Sequence, residues 1–466
     1  MRIVPKLSAG APARLANPRR LRPAAALFLL LSCVLVLVAG CAGPSPSQDR
    51  AHRSGRSVLQ VPGDFGTIQA AVDVARPGDL VLIHPGVYHE SVTVTTPDVV
   101  LRGTDRNTVV LDGRFLMANG ITATGAGTVV ENLTVRDYQF NGLLFTGVTD
   151  QQLQQAGAGG SEYDPLDTAK FPEVVGFRAS YVTAYDNGLY GIYAFDARNG
   201  LIEDTYSSGQ ADSGIYVGQC RPCATELRGN TLQHNAVGVE LTNASEGVFV
   251  LGNRIVANRV GLTAQSDDLE ALAPQHGAVV SGNVISGNNE PQSPEQADGG
   301  FGIGIGIGGG TGDLITRNLI TANSAAGVDV SDVQGYRALG NTVSGNRASG
   351  NGVDLVLNTP EGTGNCFTDN SPAGQSPARL EQLAPCGPGA GPGTGPGGAL
   401  PPGRAAAVTA PPGVSFELLP APPDQPQLPG AANAPIRAAV GLPGPVDPRA
   451  YPLPLDVAAV PQPIGR

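Results

Sequence analysis

A short pattern returns with a fixed beat through the middle of the chain: glycine, a branched aliphatic residue, any residue, then an apolar one. It begins at Gly120, Gly142, Gly191, Gly214, Gly238, Gly261, Gly327 and Gly352, and uninterrupted copies lie 22 to 25 residues apart. A second marker, Asn-x-aliphatic-x-x-Asn, keeps the same beat at Asn230/Asn235, Asn253/Asn258, Asn283/Asn288, Asn318/Asn323 and Asn341/Asn346. One unit of about 23 residues has room for three short strands and three tight turns. Such a unit cannot bury an apolar face alone, so its copies must stack. Asparagine suits the turns, because it tolerates a left-handed backbone and can hydrogen-bond to its stacked copy. The expected fold is all-β, a solenoid of parallel coils.

These repeats resemble the right-handed parallel β-helix repeats of the pectin-lyase-like superfamily over nearly all of 57–386. The opening "TIQAAVDVARPGDLVLIHPGVYHESVTV" resembles the start of many such proteins, where an amphipathic helix caps the open end of the solenoid. Here Ile68, Ala71, Val72 and Ala75 would form its apolar face. The superfamily includes lyases, hydrolases, esterases, epimerases, adhesins and metal-handling proteins, so the resemblance implies a fold and no single activity. Asp267-Asp268 and "QHG" at Gln275 to Gly277 resemble fragments of polygalacturonase-like motifs, without the R-I-K that completes them.

The first 40 residues read as an export signal. Arg2, Lys6, Arg14, Arg19, Arg20 and Arg22 precede an apolar run from Ala24 to Ala39, with no acid before Asp49. The run ends in Val38-Ala39-Gly40-Cys41, which resembles a bacterial lipobox and implies lipidation of Cys41 and a membrane-anchored, extracytoplasmic protein. Residues 41–56 then form a linker and 57–386 the solenoid. The Pro/Gly/Ala-rich stretch 387–466 reads as a disordered low-complexity tail, too poor in apolar area to offset its ordering entropy.

Outside the cytosol, thiols pair. The C-x-x-C of Cys220 and Cys223 is compatible by spacing with a redox centre, half a zinc site or a staple. No second C-x-x-C or C-x-x-H completes a tetrahedron, and the motif runs into a strand pattern, so we read it as a disulfide staple. Cys366 and Cys386 form the other local pair. Beyond residue 40 the chain holds 23 basic against 40 acidic residues, a poor surface for nucleic acid or anionic lipid headgroups. No metal or organic cofactor is called for.

In each G-aliphatic-x-apolar strand the second and fourth residues point inward and the third outward, so stacking aligns the third residues about 4.8 Å apart. That column reads Thr122, Leu144, Tyr193, Tyr216, Glu240, Thr263 and, past a glycine strand, Asp329 and Asp354. Stacked tyrosines beside a carboxylate suit a sugar face with an acid next to it. Glu240, Asp212 and His234 are the catalytic candidates, and Tyr193, Tyr216, Arg259 and Asp196 the substrate-binding candidates. Residues 146–175, 266–277 and 289–300 interrupt the period and would wall this column. In "FGIGIGIGGG" the bare outward glycines would receive the 289–300 loop.

Three functions compete. The first is an envelope-anchored β-helix lipoprotein that binds or processes polysaccharide; as an enzyme it would be a lyase, hydrolase or epimerase. The second is a structural or adhesive surface solenoid. The third is a metal-handling maturation protein, disfavoured by two methionines and five dispersed histidines. The residues leave open whether chemistry occurs at all.

Overall fold

The computed structural model describes residues 57–154, 165–296, 299–359, 364–388, 393, 395, 398–436 and 446–458. The export signal, Cys41 and the linker lie outside the described residues.

Each complete coil contributes one strand to each of three parallel sheets, and the first and last coils are partial. Sheet A has twelve strands, from Val58–Val61 to Cys366–Thr368; sheet B has ten, from Gly86–Tyr88 to Arg347–Ser349; sheet C has eleven, from Val92–Val94 to Gln375–Ser376. One coil runs Thr225–Arg228 in A, Thr231–Gln233 in B and Val237–Ala244 in C. Its Leu227, Leu232, Val239 and Leu241 point into the solenoid and are fully buried. The same positions in neighbouring coils continue one apolar column along the axis. The chain is thus a parallel β-helix, as the repeat requires.

Asparagine ladders tie the turns. Between sheets A and B, Oδ1 of Asn283 accepts from the backbone N–H and the side-chain amide of Asn253, at 2.7 and 3.0 Å. Asn253 itself donates to the Leu227 carbonyl at 2.9 Å. The ladder runs Asn230, Asn253, Asn283, Asn318, Asn346, Asn370; a second, between sheets B and C, runs Asn235, Asn258, Asn288, Asn323, Asn351. Every rung but the terminal Asn370 and Asn351 is buried, where an unpaired amide would be costly. The pairing of Asn341 with Asn346 as the next copy is therefore shifted. Asn346 and Asn351 are the true copies, and Asn341 belongs to a third ladder with Asp313 and Asn365.

Both ends are closed. Helix Ile68–Val74 buries Ile68, Ala71 and Val72 against the first coils, with Thr67 as N-cap accepting from the Ala70 N–H at 3.1 Å. At the other end the Cys366–Cys386 disulfide brings the short helix Leu380–Leu383 onto the last coil. The second disulfide joins Cys220 to Cys223 in the turn after a sheet C strand.

Composition reads the tail as disordered; its described residues form no strand and lie along the solenoid. Gly403 donates to the Leu357 carbonyl, Val414 to Ser293, Gln425 to Asn107 Oδ1 and Leu428 to Asn132 Oδ1. Tyr451, 5% exposed, packs on Gly282. Low apolar content rules out a core of its own, but polar groups on the solenoid supply what the tail lacks.

Candidate functional site

The sheet C register aligns the outward column as the repeat implies. Leu144 pairs with Tyr193, Tyr193 with Tyr216, Tyr216 with Glu240, Glu240 with Thr263, Thr263 with Gly306, and Gly306 with Asp329. Asp354 is not in the column, because Asp329 pairs with Val356. Asp354 instead accepts from Asn351, Ala373 and Gly374 and closes the last turn.

Four aromatic rings gather at the centre. Tyr193 stacks on Tyr190 with centroids 4.4 Å apart, meets Tyr216 edge-on at 4.8 Å and lies 5.2 Å from Phe195. Tyr190, Tyr193 and Phe195 remain partly open to solvent. Tyr216 does not: it is fully buried, correcting its reading as half of an open platform. The cause is the insertion after Gln265, which folds over it. The Tyr216 hydroxyl donates to Glu270 Oε2 at 2.5 Å, Ala271 N–H donates to Gln219 Oε1, and Asn243 Nδ2 donates to the Asp267 and Glu270 carbonyls. Arg221, between the paired cysteines, donates to the Leu272 and Pro274 carbonyls, so the staple anchors this lid.

Acids surround the rings. Glu240 is 5% exposed; Ser213 Oγ donates to its Oε2 and Thr242 Oγ1 to its Oε1. Burial, then the Asp212 carboxylate, pushes the Glu240 carboxyl well above the usual range despite these bonds. Burial likewise raises Glu270 to about 8, with the Tyr216 hydroxyl opposing the shift. Burial and then Glu270 raise the Tyr216 phenol well above its ordinary value, so Tyr216 stays a neutral donor. Asp212 is half-buried at the start of the same strand, 3.2 Å from the Ser213 hydroxyl. Two carboxyls of unlike environment, bridged by one serine, can divide the roles of proton donor and acceptor.

Of the expected residues, the fold thus brings together Glu240, Asp212, Tyr193 and Tyr216. His234 sits apart, left-handed in the turn from sheet B to sheet C with its N–H on the Ala257 carbonyl. Arg259 is buried under the tail. Its guanidinium donates to the Pro411 carbonyl at 2.5 Å, lies 5.2 Å from the Phe301 ring and 4.0 Å from Glu295. Asp196 is fully buried past the far end of its strand, facing Gly147 and Pro172, with neither oxygen hydrogen-bonded and its carboxyl raised by burial to about 8. The described residues of the 289–300 loop do not fill the glycine strand at Gly306. A side chain at Gly306 would meet nothing closer than 3.7 Å, whereas Ser293 and Glu295 engage the tail.

Sequence reasoning missed Tyr190, Ser213, Thr242 and Glu270. Tyr190, three residues before Tyr193, was within reach of the repeat logic. Glu270 was not, since an insertion has no register. Among the described residues, no group of three or more His, Cys, Asp or Glu is placed to hold a metal ion, and no helix is long and apolar enough to cross a membrane.

The family described as "Right handed beta helix region" matches residues 105–268. Among solved structures, the A-module of an Azotobacter vinelandii mannuronan C-5 epimerase aligns at 17% identity over 68% of this chain and 93% of its own, with a TM-score of 0.46. A pectate lyase aligns at 14% identity over 70% and 80%, with a TM-score of 0.42. A tailspike protein of an Escherichia coli bacteriophage aligns at 13% identity over 68% and 42%, with a TM-score of 0.46. No curated protein matches the sequence.

Proposed function

We propose that this parallel β-helix binds or processes a polysaccharide on the outer face of sheet C. The observation that carries the reading is the partly exposed Tyr190, Tyr193 and Phe195 cluster beside the Asp212, Ser213 and Glu240 chain. Aromatic faces suit the apolar faces of sugar rings, and a carboxyl kept protonated by burial suits proton donation to a glycosidic or ring oxygen. Beyond Glu240 the column continues as Thr263, bare Gly306 and Asp329, a shallow track along which further sugar units could lie. Asp329 is raised by burial to about 6, and its Oδ1 has no hydrogen-bond partner.

The rest of the reading concerns placement. The lipobox-like Val38 to Cys41 supports an envelope anchor through Cys41, with the acidic solenoid outside the membrane. Cys41→Ala should move the protein from the membrane to the medium; an unchanged detergent-dependent fraction would contradict the anchor.

One observation favours a second reading, a non-catalytic structural or adhesive solenoid: Tyr216 and Glu240 are satisfied internally beneath the 266–274 lid. Incubating the full chain with a panel of envelope and plant polysaccharides separates the two. Binding with new reducing ends, unsaturated products or altered sugar stereochemistry supports processing; binding alone supports a recognition module; neither supports the structural account.

A further inference from the structure

The outer face of sheet A is covered at its N-terminal coils in a way the solenoid alone does not explain. Leu80, Val100 and Val129 share a register on that face, and with Leu82 they form an apolar cluster separate from the core. Ile436 of the tail packs on this cluster. Beside it, Arg102 is fully buried although it points outward. Its Nε bonds Glu131 at 2.6 Å, while Nη1 donates to Ala434 O at 2.6 Å and Nη2 to Pro435 O at 2.9 Å.

The same arrangement repeats along the tail. Arg106, 2% exposed, donates to the solenoid carbonyls of Val182 and Asp204 and to Pro426 O at 2.7 Å. Asn107 and Gln425 exchange two bonds: Gln425 N–H donates to Oδ1 at 2.9 Å, and Nδ2 donates to Gln425 O at 3.1 Å. Leu428 N–H donates to Asn132 Oδ1 at 2.7 Å, and Gln427 Nε2 to Asp105 Oδ2 at 2.9 Å. Arg259 donates to Pro411 O, Arg317 to Tyr451 O and Arg254 to Val457 O.

A chemical complementarity underlies these contacts. An extended proline-rich chain makes no internal hydrogen bonds, and each proline lacks an N–H, so it presents many carbonyl acceptors and few donors. A matching receptor must be rich in donors and carry an acceptor wherever a non-proline N–H falls. Arg102, Arg106 and Asn107 supply donors, and Asn107 and Asn132 accept at Gln425 and Leu428. Leu428 and Ala431 are buried and Ile436 packs on the apolar cluster, whereas Leu418, before this segment, is 80% exposed. The segment docks by its main chain and by these few apolar side chains.

We infer that the flank formed by Arg102, residues 105–107 and Asn132 is a recognition site for a proline-containing peptide, extended at 425–428 and turning at 429–433 where Ala431 N–H donates to Leu428 O and Asn433 N–H to Gly430 O, filled in cis by residues 425–436 of the same chain. The tail is then a separable ligand, held in register by two N–H contacts.

The test leaves the solenoid intact, because removing a buried arginine could unfold it. In the full chain, Gln425→Pro/Leu428→Pro deletes both N–H donors and preserves the proline-rich character. Hydrogen exchange across 426–436 should speed up by about tenfold or more, as expected for two lost bonds. A labelled peptide with the sequence of 421–436 should then bind the variant saturably and fail to bind the wild-type chain, whose site is filled. Unchanged exchange in the variant would overturn the inference, as would a released tail whose vacated flank does not take the peptide.

Discussion

The hydroxyl of Tyr216 donates to Oε2 of Glu270 at 2.5 Å, joining a strand of the regular solenoid to an insertion loop 54 residues further on. This bond fixes the lid over the aromatic cluster and opposes the upward shift of the Glu270 carboxyl. Tyr216→Phe keeps the ring and its packing but takes one donor from the partly buried Glu270 carboxyl, leaving it the Gln219 side chain. The expected cost is about 1–3 kcal/mol of stability. The Glu270 titration should also move above about 8, read by NMR of the carboxyl carbon; an unmoved titration would mean that the lid is held elsewhere.

A second expectation concerns pH. Burial raises Asp186, Asp196 and Glu270 to about 8 and Asp313 to about 7. In the unfolded chain these groups titrate near pH 4. Between those values the folded chain binds more protons, so their contribution is complete below about pH 4 and is lost as pH rises through 7 to 8. Thermal unfolding should therefore occur at a lower temperature at pH 9 than at pH 6. Asp196→Asn, which removes one such carboxyl, should narrow that difference. A midpoint that is flat or rising between pH 6 and pH 9 would contradict the burial of these acids.

The ladders give a sharper stability test. Asn258 donates to Leu232 O and Asn288 Oδ1, and accepts from the N–H and side-chain amide of Asn235. Asn258→Leu removes all of these at once and leaves the Asn235 N–H unpaired in the interior, at an expected cost of about 3 kcal/mol or more. Denaturant unfolding measures it. A cost below about 1 kcal/mol would mean that the ladders add little beyond filling space.

The two disulfides should differ in weight. In the chain-entropy estimate, a bridge spanning 20 residues, as between Cys366 and Cys386, contributes about 3 kcal/mol, and one spanning 3, as between Cys220 and Cys223, about 1.5 kcal/mol. Replacing Cys366 and Cys386 by serine should lower stability more than replacing Cys220 and Cys223. The second change should instead loosen the lid, through Arg221 and its bonds to Leu272 and Pro274. The reverse order of stabilities would contradict the C-terminal cap.

What the sequence made legible was whatever repeats. Period and strand alternation placed Tyr193, Tyr216 and Glu240 in one outward column because a parallel solenoid stacks equivalent residues by its register. Register failed at the last copies, where Asn346 rather than Asn341 continues the ladder and Val356 rather than Asp354 meets Asp329. There the spacing shifts by a few residues, and local motifs of the same type compete for one position. Insertions were legible as interruptions but not as positions, so the burial of Tyr216 by Glu270 and the engagement of Arg259 by Pro411 had no signal. The contacts of the tail had no signal for a related reason: composition measures what a segment can bury by itself, not what Arg102 and Arg106 on another surface can offer it.

The central claim is that the partly exposed rings on sheet C receive a glycan, and Tyr193→Ala tests it most directly. Tyr193 lies outside the solenoid core but packs on Tyr190, Tyr216 and Phe195, so the variant should lose about 0.5–1.5 kcal/mol per aromatic pair, and a cooperative thermal transition above the assay temperature is the control that it is folded. Titration of the polysaccharide that binds best in the panel should show affinity reduced by about tenfold or more, the loss of one aromatic stacking contact. Affinity unchanged in a folded Tyr193→Ala chain would contradict the account, and the column would then be only the surface of a sheet.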